Sequence, residues 1–196
     1  MKKIFALLLI SLVAACTSIV KVEGDQTVRD RMTLKLPDAW NKVQLAGNQQ
    51  PFDMWTQEGL TVDTLRFWAG ISSNQELIKM PTASVPVGGK AARVPTYVAG
   101  MPPDQLVNLF ETMYSSDGSI VTMSKVEPVV FAGEKGVRFE FSLVRKSDEV
   151  TLRGVGWVAV KKDQLYAATF VAPRLSFFPR LLPKAESVVK TAQIKA

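Results

Sequence analysis

The feature that most constrains the fold is a run of alternation between Ile120 and Ala172. Apolar Val137, Phe139, Phe141 and Leu143 take turns with Arg138, Glu140 and Ser142. A period of two puts the apolar set on one face of a strand and the polar set on the other. Short turn-forming stretches cut the run into segments. Ala132-Gly133-Glu134-Lys135-Gly136 follows Ile120–Phe131, and Lys162-Asp163-Gln164 joins Leu152–Lys162 to Leu165–Ala172. Connections this short join antiparallel neighbours, so the segment predicts a meander of three or four long strands. Gly154 and Gly156 flank Val155 just before Trp157. Glycine inside a strand marks a bulge or the close approach of something bulky.

The same period appears earlier in the chain. Met32-Thr33-Leu34-Lys35-Leu36 alternates, Pro37-Asp38-Ala39 turns, and Trp40 to Leu45 alternates again. Phe52-Asp53-Met54-Trp55 and Leu60 to Ile71 continue, with Val62, Thr64, Arg66 and Trp68 on one face and Leu65 and Phe67 on the other. From Lys79 to Pro103 the rhythm stops, because Pro81, Pro86, Gly88, Gly89, Pro95, Gly100, Pro102 and Pro103 oppose regular structure. We expect Pro81–Lys90 to be mobile, and Val94–Met101 to be pinned by Val94, Tyr97, Val98 and Met101. An irregular stretch this long is uncommon within a compact domain unless it is functional or disordered.

Two helices complete the pattern. Pro103-Asp104-Gln105 opens one, with proline in the first turn and an acid at the positive end of the dipole. Leu106, Leu109, Phe110, Met113 and Tyr114 form its stripe, and Ser115-Ser116-Asp117-Gly118 stops it. The second is expected from Pro183 to about Ala192, with Leu182, Ala185, Val188, Val189 and Ala192 on one face and Pro179 and Pro183 limiting its start. Together these elements predict an α+β fold, one antiparallel β-sheet with helices packed on it. The helix at Pro103–Ser116, the meander from Val121 to Ala172, the final helix and the early Leu36-Pro37-Asp38-Ala39-Trp40 element resemble the PsbP-like α/β/α sandwich, named for an extrinsic photosystem subunit. That resemblance implies a non-catalytic accessory or binding subunit, as in the many small bacterial lipoproteins of this group. It rests on layout, with no site motif to transfer.

The first sixteen residues carry a different message. Met1-Lys2-Lys3 is cationic, Ile4 to Val13 is almost wholly apolar, and Val13-Ala14-Ala15-Cys16 ends on small residues. This is the layout of a secretory signal peptide, and the apolar run is short of the roughly 20 residues of a membrane span. The segment resembles a bacterial lipoprotein signal with Val13-Ala14-Ala15-Cys16 as its lipobox. The resemblance implies cleavage before Cys16, a diacylglyceryl thioether on its sulfur and an acylated amino group. It also implies, with Thr17 rather than aspartate after the cysteine, the periplasmic face of the outer membrane. The expected organisation is a signal peptide at 1–15, a lipidated cysteine and tether at 16–31, and a single α+β domain at 32–196. Within the tether, Ser18–Val22 is a candidate strand; fully extended, ~15 residues reach about 50 Å.

Composition narrows the chemistry. The chain has no histidine, and Cys16 is its one cysteine. Serine–histidine and cysteine–histidine nucleophiles are therefore excluded, as are zinc and copper sites built on those ligands and any internal disulfide. No cofactor is implied, and the chain is read as not an enzyme. Removing the leader takes Lys2 and Lys3 with it, so the formal charge falls from +6 to +4. That balance, without a clustered basic face, argues against nucleic acid as a partner. The expected partners are the membrane, through the N-terminal lipid, and an envelope protein.

Candidate binding residues follow from position. Trp55, Trp68, Trp157, Tyr97 and Phe170 either line a ligand pocket or fill the core. Trp68, which ends a strand before the long loop, and Trp157, beside its glycines, are the functional candidates, with Tyr97 on the loop and Arg66 among apolar neighbours. Arg66, Arg138 and Arg153 either converge on an anionic group or lie scattered on an outward face. Arg145-Lys146, Lys161-Lys162, Arg174, Arg180 and Lys184 either gather at one end against lipid headgroups or form a solvated rim. The function expected is a lipid-anchored, periplasm-facing accessory module, whose binding surface is the 79–101 loop and nearby sheet residues. The alternative is a carrier or sensor of a small apolar or anionic ligand.

Overall fold

A computed structural model describes residues 18–44, 50–79 and 94–195. Their strands form one sheet in which every pairing is antiparallel. In chain order the elements are β1 (Ser18–Val28), β2 (Met32–Gln44), β3 (Phe52–Thr56), β4 (Thr64–Ile71), α1 (Pro103–Ser115), β5 (Ile120–Phe131), β6 (Glu134–Val144), β7 (Thr151–Lys161), β8 (Gln164–Pro173), α2 (Phe177–Val189) and β9 (Gln193–Ile194). Across the sheet the order is β1-β2-β3-β4-β8-β7-β6-β5, with β9 also pairing β2. The α+β class and the meander expected from the alternation are therefore present. Two of the meander's three turns are two-residue hairpins, β6 and β7 being joined by residues 145–150: Lys162 and Asp163 have φ of 48° and 58°, and Ala132 and Gly133 have φ of 51° and 87°. Left-handed pairs of this kind match the twist of the strands they join.

Each face of the sheet has its own cover. On one, Leu106, Leu109, Phe110 and Met113 of α1, with Leu77 and Tyr97 from the segment between β4 and α1, pack on Trp68, Phe139, Phe141 and Val158. On the other, Phe178, Leu181, Ala185 and Val188 of α2 pack on Trp55, Phe67, Val155, Trp157 and Phe170. Gly154 and Gly156 lie opposite Phe141 and Phe139 of β6, and a Cβ on either would run into those rings. Of the two expectations for these glycines, close approach holds; the β6–β7 register runs without a break.

Three sequence expectations are corrected. Most of the segment read as a tether is strand, since Ser18–Val28 pairs with β2 over its length. Alternation in Val20, Val22 and Val28 was diluted by charged residues and hid it. Second, the two alternating stretches either side of Pro37 belong to one bent strand. The register jumps from Val22↔Trp40 to Gly24↔Leu36, so three residues of β2 face one of β1. At that bulge the hairpin folds back over the sheet and buries Val28, Met32, Leu34 and Leu36 beside α2. Third, α2 begins at Phe177, not Pro183. Pro179 sits in the first turn, where its N–H would lack an intrahelical partner anyway, and Pro183 forfeits one bond. Burial of Phe178 and Leu181 outweighs that loss. The stretch 80–93, which includes Pro81–Lys90, lies outside the described residues, as do Cys16 and the leader. Val94–Met101 is held as expected, by a bridge between Glu76 and Thr96 and by buried Tyr97, but Val98, expected to help pin it, is 44% exposed.

Candidate functional site

The α1 face offers one arrangement suited to binding, and it begins with a loop. Between β3 and β4 the chain turns around Asp63, which is 1% exposed. Its carboxylate accepts from Thr56 Oγ1 at 2.9 Å and from the backbone N–H groups of Gln57 and Glu58 at 2.8 Å each. Thr56 Oγ1 in turn accepts from the Gly59 N–H at 2.8 Å. Burial pushes the Asp63 carboxyl above the ordinary range, opposed by these three bonds. This is a structural carboxylate with its lone pairs taken up by the loop. It launches β4 with Arg66 on the α1 face, between Met54 of β3 and Thr169 of β8.

Arg66 is the unusual member. Its guanidinium carbon lies 5.1 Å from the Phe52 ring centre and 5.6 Å from that of Tyr114, within cation–π range. It has no ion-pair partner among the described residues, and its Nε is buried without a hydrogen bond. The Tyr114 hydroxyl is 2.7 Å from Thr169 Oγ1, which ties α1 to β8 and fixes the ring beside the cation. Burial raises the Tyr114 phenol above its usual value, and the Arg66 charge and the Thr169 bond draw it back. A hollow of about 270 Å³ opens over this group, walled by Asp63, Arg66, Tyr114, Ser116, Asp117 and Arg145. Arg145 is engaged by Asp148 at 2.6 Å, and Asp117 accepts the Ser119 N–H at 2.8 Å. Arg66 is thus the wall cation with unspent charge. Chemically the site suits capture of one anionic group by a guanidinium fork.

The other candidates fall elsewhere. Trp68 is fully buried, donates from Nε1 to the Leu77 carbonyl at 2.8 Å, and meets Phe110 edge-on at 5.5 Å. Tyr97 is fully buried next to it in the same core; its hydroxyl finds no partner, and burial followed by the charge of Asp163 raises its pKa. Both belong to a filled core. Trp157 faces the opposite side of the sheet, under the Arg138 guanidinium at 5.8 Å, and borders a separate hollow of about 390 Å³ beside α2. Trp55 and Phe170 are core residues on that side.

The three arginines do not converge. Arg138 and Arg153 stand on the α2 face and share Glu140, at 2.8 and 2.6 Å; Glu127 and Glu186 complete the cluster around Arg138. The basic pairs are also split. Arg145, Lys146 and Arg174 flank the β6–β7 turn and the end of β8, whereas Lys161 and Lys162 lie at the β7–β8 turn, the other end of those strands. Sequence reasoning missed Tyr114, Thr169 and Asp63 as parts of the site. Tyr114 closes the stripe of α1 and reads as core, and a lone aspartate in a loop gives no signal of its three bonds.

By sequence, no protein family and no curated protein matches the chain. By structure, it is similar to the solution structure of cyanobacterial PsbP (CyanoP) from Synechocystis sp. PCC 6803. The TM-score is 0.53 and the identity 13%, over 93% of this chain and 96% of that one. The fold is PsbP-like. A second solved structure with some likeness is that of LpqN, involved in cell envelope biogenesis of Mycobacterium tuberculosis, at 10% identity over 92% of each chain and a TM-score of 0.43. The PsbP-like sandwich positions the Arg66 hollow where the β3–β4 loop meets the end of α1.

Proposed function

We propose that this PsbP-like protein is a lipid-anchored, non-catalytic binding module of the cell envelope, held through Cys16 and facing the periplasm from the outer membrane. The leader ending in Val13-Ala14-Ala15-Cys16 supports the location. The observation that carries the binding role is Arg66, a half-buried guanidinium between two aromatic rings with no carboxylate partner among the described residues. Holding a cation in that state costs stability unless an anion completes it. The hollow is at the small end for a ligand pocket, and its size suits one acidic side chain offered by an envelope protein. The Arg66 hollow is put ahead of the 79–101 loop as the leading surface, since Tyr97 of that loop is packed into the core, although Val98 is 44% exposed and residues 80–93 lie outside the described residues.

A photo-crosslinking residue in place of Ser116, in cells carrying the full chain, tests this. The expected result is a discrete protein adduct that Arg66→Gln abolishes and Arg66→Lys partly restores. The hollow's volume also favours a second reading, a carrier of a small carboxylate or phosphate. Absence of any protein adduct, with a small acid copurifying with the wild type and lost with Arg66→Gln, would select it over the first. For the anchor, a Cys16→Ser variant should leave the membrane fractions of a sucrose gradient; retention there would refute lipidation.

A further inference from the structure

We infer that the end of the sheet where β1 begins is a docking surface for the anionic headgroups of the membrane that the anchor enters. This deepens the reading above and rests on lipidation of Cys16. Thr17 alone stands between Cys16 and Ser18, the first residue of β1. Two peptide steps span at most about 7 Å, comparable to the headgroup layer on one side of a bilayer, about 5–7 Å. The domain has no spacer, so whatever lies at this end of the sheet meets the lipid surface.

What lies there is set by topology. Ser18 faces Gln44 at the end of β2, and β1 runs away from this end. The folded-back β1–β2 hairpin returns its tip to the same end, where Arg31 packs on Gly70 near the close of β4 and donates to Gln164 Oε1 at 3.0 Å. The Arg29 guanidinium donates to the Gln50 carbonyl, and Lys195 is drawn in by its N–H to the Arg31 carbonyl at 2.9 Å. Two hollows that share Arg29 result. One, of about 560 Å³, has Arg29 and Lys79 with Glu76 in its wall; the other, of about 460 Å³, has Arg29, Arg31 and Lys195 with Asp30. Four cations thus face two carboxylates, and none of the four is in an ion pair among the described residues.

The opposite end differs. There Arg145 is paired with Asp148 and Arg180 with Glu58. Lys146 and Arg174 at that end are in no ion pair among the described residues, with Glu149 three positions after Lys146. Apolar side chains are also available at the β1 end, with Ile19 54% and Val20 45% exposed. Leu175, 81% exposed at the opposite end, is the feature that speaks for the reverse orientation, so the test must read both ends. Lipid phosphates match the β1 end, since arginine and lysine groups with no carboxylate partner among the described residues are what an anionic surface attracts.

The test uses the full lipidated protein reconstituted into phosphatidylcholine vesicles with and without phosphatidylglycerol. With the Cys16 sulfur acylated, an introduced cysteine is the single free thiol. A fluorophore is placed on Glu76→Cys at the β1 end or on Ser147→Cys at the other, and quenched by a headgroup-borne spin label. The expected result is several-fold stronger quenching at position 76 than at 147, deepened by phosphatidylglycerol. Adding Arg29→Gln, Lys79→Gln and Lys195→Gln should erase the phosphatidylglycerol effect while the protein still floats with vesicles. Arg145→Gln with Arg174→Gln should leave it intact. Equal quenching at both ends, stronger quenching at 147, or a phosphatidylglycerol effect that survives the triple change would each overturn the docking surface. Failure to float with any vesicle would instead strike at the anchor, and the inference would fall with it.

Discussion

Asp63 shows how a single residue can shape the site without touching a ligand. Its carboxylate holds two backbone N–H groups and one hydroxyl. Asp63→Asn turns one acceptor into an NH₂ that faces an N–H donor. The expected loss is about 1–3 kcal/mol, read as a lower urea midpoint with an unchanged slope. Gly156 is the second residue of this kind. A methyl there has to displace the Phe139 ring in a closed core, so Gly156→Ala should cost about 1–3 kcal/mol by overpacking, measured in the same way. The Arg138 cluster adds a pH dependence. Hydrogen bonds from Arg138 and then Arg153 hold the Glu140 carboxyl below the usual glutamate range. A carboxylate lowered in the folded state stabilises above its unfolded pKa and loses that contribution as pH falls through the folded value. The wild type should therefore lose stability below about pH 4.3, and Glu140→Gln should flatten that limb in melting curves taken across pH. The alternation of Arg138 and Glu140 with aromatic residues made their outward face readable from sequence. That Arg66 stands alone while Arg138 and Arg153 are paired was not readable, because it depends on which strands become neighbours.

Among the elements, the meander was the most legible and the first hairpin the least. β5 to β8 carry regular alternation and turn residues at their joints, so local sequence and final pairing agree. β1 does not. Its polar residues reflect an edge position and a partner strand that bends. α2 was legible in its second half only, since two prolines masked a first turn whose gain comes from burying Phe178 and Leu181. The edge strand β5 presents Val126 and Val130 to solvent along 12 residues. It guards that edge with Lys125, Pro128 and a bulge between Met123 and Lys125, the devices that discourage strands from pairing with another copy. Lys125→Val with Pro128→Thr should leave the fold intact and produce concentration-dependent association in sedimentation velocity. A strictly monomeric variant would show that the bulge alone protects the edge.

Over the whole molecule, the two faces of the sheet are closed by different means. One is covered by a helix and a loop that follow one another in the chain. The other is closed by α2 together with the folded-back first hairpin, which ties the start of the domain to its end. Met32 pairs with Ile194 and Thr33 with Gln193, and the Lys35 N–H donates to Thr191 Oγ1 at 2.8 Å. Removing residues 191–196 deletes these bonds and the buried Ala192. A loss of about 2–4 kcal/mol is expected, with the melting transition moving down as one step.

That closure also sets a timetable. β2 receives its last partner from residues more than 150 positions downstream, so the face beneath the hairpin stays open for as long as the C-terminus is still being made or moved. Contacts this distant in sequence form late. A chain that leaves the cytoplasm through a narrow channel has to travel unfolded. Under the proposed export and lipidation, the stitch between β2 and residues 193–194 would close only after the chain has crossed, so acylation would precede completion of the fold.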